Sequence, residues 1–194
     1  ADRYVLTLNA RTDASSKFGA NHKWGFFPSA SAAWVISEEE FMKQFPVIDN
    51  LKFRIGYGLA GNQSGIDSYT TLNLVKPNGV VPVGNSAIVS LGDLRNTNPD
   101  LKWETTTQAN VGIDAALFKN KLLLTLDYYD KRTKDILINP PALGAYGSIG
   151  NQLINGATVH NKGFEATITY RDQIRDFSYD VSFNISSYKN KVTS

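Results

Sequence analysis

Phe177, Tyr179, Val181, Phe183 and Ile185 alternate with Ser178, Asp180, Ser182, Asn184 and Ser186. Successive side chains of a strand point to opposite faces, so this stretch predicts a β-strand that is apolar on one side and polar on the other. Its length narrows the choice further. About nine to eleven residues carry a tilted strand across a bilayer, whereas strands of globular proteins run to about five or six. A chain built from such strands must cover the apolar face with a second protein layer or present it to lipid.

Six further stretches alternate in the same way. They run from about Arg3 to Arg11 (Tyr4, Leu6, Leu8 and Ala10 aligned), Lys23 to Ile36 (Trp24, Phe26, Ala30, Ala32, Trp34 and Ile36 aligned) and Leu51 to Leu59. The rest run from Thr105 to Leu117, Lys121 to Lys131 and Gly163 to Arg171. None of the seven apolar faces is expected to carry a charged residue. Pro28 cannot donate to a ladder and predicts a bulge or an unpaired position. Ser37-Glu-Glu-Glu40 predicts an N-cap with a capping box at Glu40, opening a short helix through about Gln44 that Pro46 ends.

The connections alternate too. Residues 12–22, 61–104 and 136–159 are rich in Gly, Pro and Asn and read as loops, the second with room for a short hairpin. Lys119-Asn120 and residues 172–176 are short turns. In an antiparallel arrangement all the long loops fall at one end and all the short connections at the other, as in outer-membrane barrels. Tyr4, Trp24, Trp34, Tyr128, Tyr170 and Phe177 lie near strand ends, where a barrel carries its aromatic girdles. The expected fold is therefore all-β: an antiparallel transmembrane β-barrel segment of about seven long strands, with one short helix in a turn. A soluble β-sandwich, such as a carbohydrate-binding module, produces the same alternation with the apolar face turned inward.

Composition removes several classes. With 42% hydrophobic residues over 194 positions the chain is expected to fold. No apolar run approaches the roughly eighteen residues of a membrane helix, which leaves a barrel open. A net charge of +2 gives no reason to expect nucleic acid. Without cysteine there is no disulfide frame, thiol nucleophile or thiolate metal site. The chain enters a strand pattern almost at Ala1 and leaves one just before Ser194, without a signal peptide, and is expected to be a piece of a longer protein.

No catalytic or cofactor-binding set emerges. Gly56-Tyr-Gly-Leu-Ala-Gly61 has the G-x-G-x-x-G spacing, but Asn-Gln-Ser-Gly follows where a dinucleotide site needs a helix; small residues on a crowded strand face explain it better. His22 and His160 stand at loop–strand junctions without a carboxylate cluster at ligand spacing. Ser148 lacks the G-x-S-x-G elbow. Asp127, Asp130 and Asp135, interleaved with Lys131, Arg132 and Lys134, read as a solvated strand end. The expectation is a non-enzyme with no metal or cofactor. Three loop aromatics, Tyr69, Trp103 and Tyr146, are candidate platforms for a sugar or peptide ligand. Asn9, Arg11, Arg54, Asn110, Asp114, Asp127, Glu165, Arg171, Asp180 and Asn184 share the polar strand faces that would line a lumen.

Several segments, taken together and in order, resemble a known family. They are Arg11-Thr-Asp-Ala-Ser-Ser-Lys-Phe-Gly19, Trp24-Gly-Phe-Phe-Pro-Ser-Ala-Ser-Ala-Ala-Trp34, Glu39-Glu-Phe41, Leu51-Lys-Phe-Arg-Ile-Gly-Tyr-Gly58 with Gly61-Asn-Gln63, Asn98-Pro-Asp-Leu-Lys-Trp-Glu-Thr105, Tyr128-Tyr-Asp-Lys-Arg-Thr-Lys-Asp-Ile-Leu137 and Asn161-Lys-Gly-Phe-Glu165. The order and spacing are similar to the C-terminal barrel region of SusC/RagA-type TonB-dependent transporters, with Ala14 where that loop usually has Gly. The resemblance implies that residues 1–194 belong to an outer-membrane barrel of about 22 strands, lacking its plug, TonB-contacting segment and terminal strand. It implies import of glycans, oligosaccharides or peptides, with TonB, a surface substrate-binding lipoprotein and outer-membrane lipid as partners. An isolated piece of such a wall is expected to self-associate through its open edges.

Overall fold

The computed structural model describes residues 3–19, 21–72, 74–93, 97–141 and 152–193, apart from the side chains of Asn78 and Asp93. Tyr146 and Ser148 lie outside these residues. Seven strands form one antiparallel sheet: β1 (Tyr4–Ala14), β2 (Trp24–Val35), β3 (Ile48–Asn62), β6 (Glu104–Leu117), β7 (Leu122–Ile138), β8 (Ile154–Ile174) and β9 (Phe177–Val192). Each strand pairs with the next in that order, and the sheet does not close on itself. The hairpin anticipated within residues 61–104 is present as β4 (Val75–Val83) and β5 (Ser86–Asp93), a separate two-stranded sheet.

The register carries the alternation from strand to strand. Tyr4, Trp34, Phe53, Ile113, Leu126, Ala166 and Ile185 stand directly opposite one another in sequence along the sheet, forming one continuous apolar row from edge to edge. Leu6, Ala32, Ile55, Val111, Tyr128 and Phe164 form the next. The rows climb: Tyr4 opens β1, whereas Ile185 is the ninth residue of β9. This stagger is the shear of strands tilted against a barrel axis. Nothing among the described residues covers the apolar face. Leu6 is 69% exposed and Val181 64%. A sandwich would need a second layer there, and among the described residues the only second sheet is the β4–β5 hairpin.

Four expectations need correction. The helix after β2 is a pair of 3-10 turns, Ile36–Glu38 and Glu40–Gln44, broken at Glu39, whose backbone is extended. Ser37 makes no cap bond, and Glu40 pairs with Lys43 at 2.8 Å instead of completing a capping box. The cause is tertiary. Glu39 accepts hydrogen bonds from Tyr4 Oη (2.8 Å) and Trp34 Nε1 (3.1 Å) and pairs with Arg3 (3.2 Å), contacts a regular helix would break. The strands also outrun their expected ends, most of all β7 and β8, which take up the first and last parts of the expected 136–159 loop. A bulge between Thr133 and Ile136 makes this extension workable, with Asp135 at φ 58°. His160 therefore sits inside β8 rather than at a loop–strand junction. Finally, the apolar face of β7 ends at Tyr128: Asp130 continues that face as a charged residue. Pro28 pairs with Ala10 of β1 but has no ladder partner in β3, as its missing N–H requires.

Candidate functional site

The polar face is also continuous. Arg54, Gly112, Asp127, Glu165 and Ser186 oppose one another in one row, and Asn9, Ser29, Gly58, Gln108, Lys131, Asn161 and Asn190 in another. Arg54 is its electrostatic centre. Its Nε donates to Asp114 Oδ2 at 2.8 Å, and one terminal nitrogen donates to Asp114 Oδ1 at 3.0 Å and Asp127 Oδ1 at 3.1 Å. Lys52 Nζ reaches Asp114 at 3.3 Å. Two cations and two carboxylates, each about one-third exposed, thus brace β3, β6 and β7 across the sheet. Arg suits this role because its planar fork meets two carboxylates at once.

Glycines give these long side chains room to lie flat. A Cβ on Gly112 would meet the Arg54 guanidinium and the Asp127 carboxylate. Gly56, Gly58 and Gly61, which spell the nucleotide-like spacing, do the same for Asn110, Ser29 and the Phe27 ring. A shallow groove lies over them, lined by Asn9, Ser29, Ser31, Gln108 and Asn110. It presents hydroxyls and amides without a positively charged group, which suits a polar neutral ligand.

At the loop end, on the same side as the polar face, the chain builds its one core cluster among the described residues: Phe18, Phe27, Ile66, Leu101 and Trp103. The Trp103 ring lies 4.8 Å from that of Phe18 and meets Phe27 edge-on at 5.5 Å, while its Nε1 donates to Lys23 O at 3.3 Å. Edge and tilted contacts at this spacing are favourable aromatic geometries. The loops are stitched to one another around it. Lys17 Nζ donates to Ile66 O at 2.8 Å, Asn98 Nδ2 to Leu153 O at 3.1 Å, and Asn155 Nδ2 to both Lys102 O and Asp135 O.

The candidate aromatics thus part company. Trp103 is 8% exposed within the cluster, and Tyr69 is 65% exposed at φ 68°. The three aspartates diverge as well: Asp127 joins Arg54, Asp135 pairs with Lys102 at 3.0 Å, and Asp130 faces the other side of the sheet beside His160 and Lys162. Periodicity indicated the polar face; the aromatic cluster escaped it, because Phe18, Phe27 and Trp103 meet only through the fold. Among the described residues no three His, Asp or Glu groups converge as metal ligands. At the turn end the hydrogen bonds from Tyr4 and then Trp34 hold the Glu39 carboxyl below its usual pKa.

The family model described as TonB dependent receptor-like, beta-barrel, matches residues 1–194. TonB-dependent receptor P3 of Formosa agariphila is 40% identical over 195 residues, covering 99% of this chain and 19% of that protein. TonB-dependent receptor SusC of Bacteroides thetaiotaomicron is 32% identical over 197 residues, with 99% and 19% covered. The solved structure of the RagAB peptide transporter superposes with a TM-score of 0.84 at 27% identity, covering 98% of this chain and 20% of that one. The chain spans about a fifth of the length of these relatives.

Proposed function

Because this chain belongs to the TonB-dependent receptor-like β-barrel family, whose barrels sit in the outer membrane, we propose that residues 1–194 form about a third of the wall of a transporter that imports oligosaccharides, glycans or peptides. The observation that carries this reading is the pair of continuous faces: apolar rows running bare from β1 to β9, backed by a hydrogen-bonded polar wall. A barrel needs that arrangement, with lipid outside and water or a plug within. The plug and the TonB-contacting segment fall outside these residues. The groove over Gly56 and Gly58 offers the amide and hydroxyl partners that a sugar or peptide backbone needs. Tyr69 offers an open ring for stacking, Trp103 supports the loops from beneath, and Tyr146 is the third aromatic assigned to the ligand.

The β4–β5 hairpin is assigned to the partner lipoprotein. Val75, Val80, Val83, Ile88, Val89 and Leu91 are each more than half exposed, and the hairpin pairs with no other strand among the described residues. Replacing residues 75–93 by a short Gly/Ser link in the full-length transporter should leave heat-modifiable barrel assembly intact, since loop shortening costs little closure entropy. It should abolish co-purification of the lipoprotein and reduce uptake of labelled oligosaccharide or peptide. Failed assembly would make the hairpin structural. Unchanged uptake and co-purification would remove it from the site.

A further inference from the structure

Along β7, β8 and β9 the outward face passes from apolar to cationic in one step. Tyr128, Phe164 and Ser187 form its last uncharged row. The next row toward the loops holds Asp130, Lys162 and Lys189, and the one after it Arg132, His160 and Lys191. Asp130 is already engaged: His160 Nε2 lies 2.6 Å from its Oδ1 and Lys162 Nζ 3.2 Å from its Oδ2. Arg132, Lys189 and Lys191 are exposed and form no ion pair among the described residues. Lys162 and Lys189 stand directly opposite each other, a like-charge pairing that strands normally avoid. With strands about 4.8 Å apart and alternate residues about 6.7 Å apart, these cationic side chains can converge on one small anion. The turn end of the same strands differs, because Lys121 there has its own carboxylate, Asp172 at 2.6 Å.

Position identifies the anion. On β9 the apolar face runs from Phe177 to Ile185, and about nine to eleven residues take a tilted strand across the hydrocarbon. Ser187, Lys189 and Lys191 follow at the level where headgroups begin in the leaflet on the loop side. We propose that Arg132, Lys162, Lys189 and Lys191 form an outward-facing site for the phosphate of an anionic lipid in that leaflet. Arg132 supplies a bidentate fork and the lysines supply mobile point charges. The site rests on the outer-membrane reading of the sheet.

The test uses the full-length transporter in detergent, with native mass spectrometry counting bound dioleoyl phosphatidic acid against dioleoyl phosphatidylcholine. The wild type should retain the phosphatidic acid about tenfold or more in preference, as several membrane-level cations together would give. The exposed triple variant R132Q/K189Q/K191Q, checked for heat-modifiable folding, should lose that preference, while K189R/K191R keeps it. An unchanged preference in the triple variant overturns the proposal. So does displacement of the lipid by millimolar inorganic phosphate, which would mark a plain anion site. If spin labels at Val181 and Phe183 reach lipid but the preference fails, only this site falls. If those labels are shielded, the membrane reading falls with it.

Discussion

Phe27 shows how much one residue's packing depends on what its neighbours lack. Its ring lies over Gly25 and Gly61, and a Cβ at Gly61 would strike three ring atoms. Phe27 is 9% exposed and wedged against Trp103, so it has little freedom to retreat. Gly61→Ala should therefore cost about 1–3 kcal/mol, the range for overpacking a filled site. The cost should fall on the loops, read as faster proteolytic nicking and a shifted Trp103 emission while the barrel still assembles. Phe27→Leu in the same background should relieve much of it, because contacting sites are not additive. Glu39 gives a second residue-scale outcome. Its carboxyl is held below the usual carboxylate range, first by the hydrogen bond from the Tyr4 hydroxyl. A lowered folded pKa stabilises the turn at pH values above the unfolded pKa, and this stabilisation is lost as pH falls through the folded one. Acidification below about 4.3, the unperturbed Glu value, should begin to loosen the β2–β3 turn, seen as a change in Trp34 fluorescence. Glu39→Gln should flatten that response, and a response equal to wild type would assign it to another carboxylate.

At the scale of the element, β9 offers the most direct test of what the apolar face touches. Residues 1–194 contain no cysteine, so single spin labels can be placed at successive positions from Tyr179 to Asn184 in a reconstituted full-length protein cleared of any cysteine elsewhere. Labels at Tyr179, Val181 and Phe183 should relax with oxygen, which concentrates in lipid, and those at Asp180, Ser182 and Asn184 with a water-soluble agent. Positions 181 and 183 closed to both would mean protein covers that face. Strand existence was legible throughout, because period-two alternation is written in every strand of the large sheet. Strand ends were less so. Asn155 and Gly156 read as turn formers, yet they stay in β8, where the Asn155 side chain spans Lys102 O and Asp135 O. The capping box failed for the reciprocal reason: Glu39 takes its partners from β1 and β2, and such partners leave no local signal. Burial of Trp103 was equally hidden, since Lys23 and Phe27 lie far from it in sequence. The cationic row is readable in the sequence, because Asp130, Arg132 and Lys134 continue the parity of Tyr128 beyond the last apolar residue.

At the scale of the whole molecule, the decisive feature is that the sheet ends in two free edges, β1 and β9. Both are long and regular, with 11 and 16 residues. Each presents unpaired backbone N–H and C=O groups beside a face that is apolar from Tyr4 to Ala10 on β1 and from Phe177 to Ile185 on β9, the combination that templates pairing with another chain. Seven strands cannot close the wide barrel proposed for the full-length transporter, since circumference scales with strand number. Two outcomes remain for residues 1–194 expressed alone: edge-to-edge association, or shielding of face and edges by detergent. The prediction is that sedimentation without detergent gives oligomers or aggregate, and that detergent disperses them while the strand signature in circular dichroism persists. Charge on the edge should modulate the effect. Lys189 and Lys191 act as edge gatekeepers at the loop end of β9, so K189Q/K191Q should associate faster than wild type. A monodisperse monomer without detergent would require the sheet to satisfy its own edges and cover its own apolar rows. That result would contradict the wall-segment reading at its root, since a wall segment is defined by surfaces that only lipid and the remaining strands can complete.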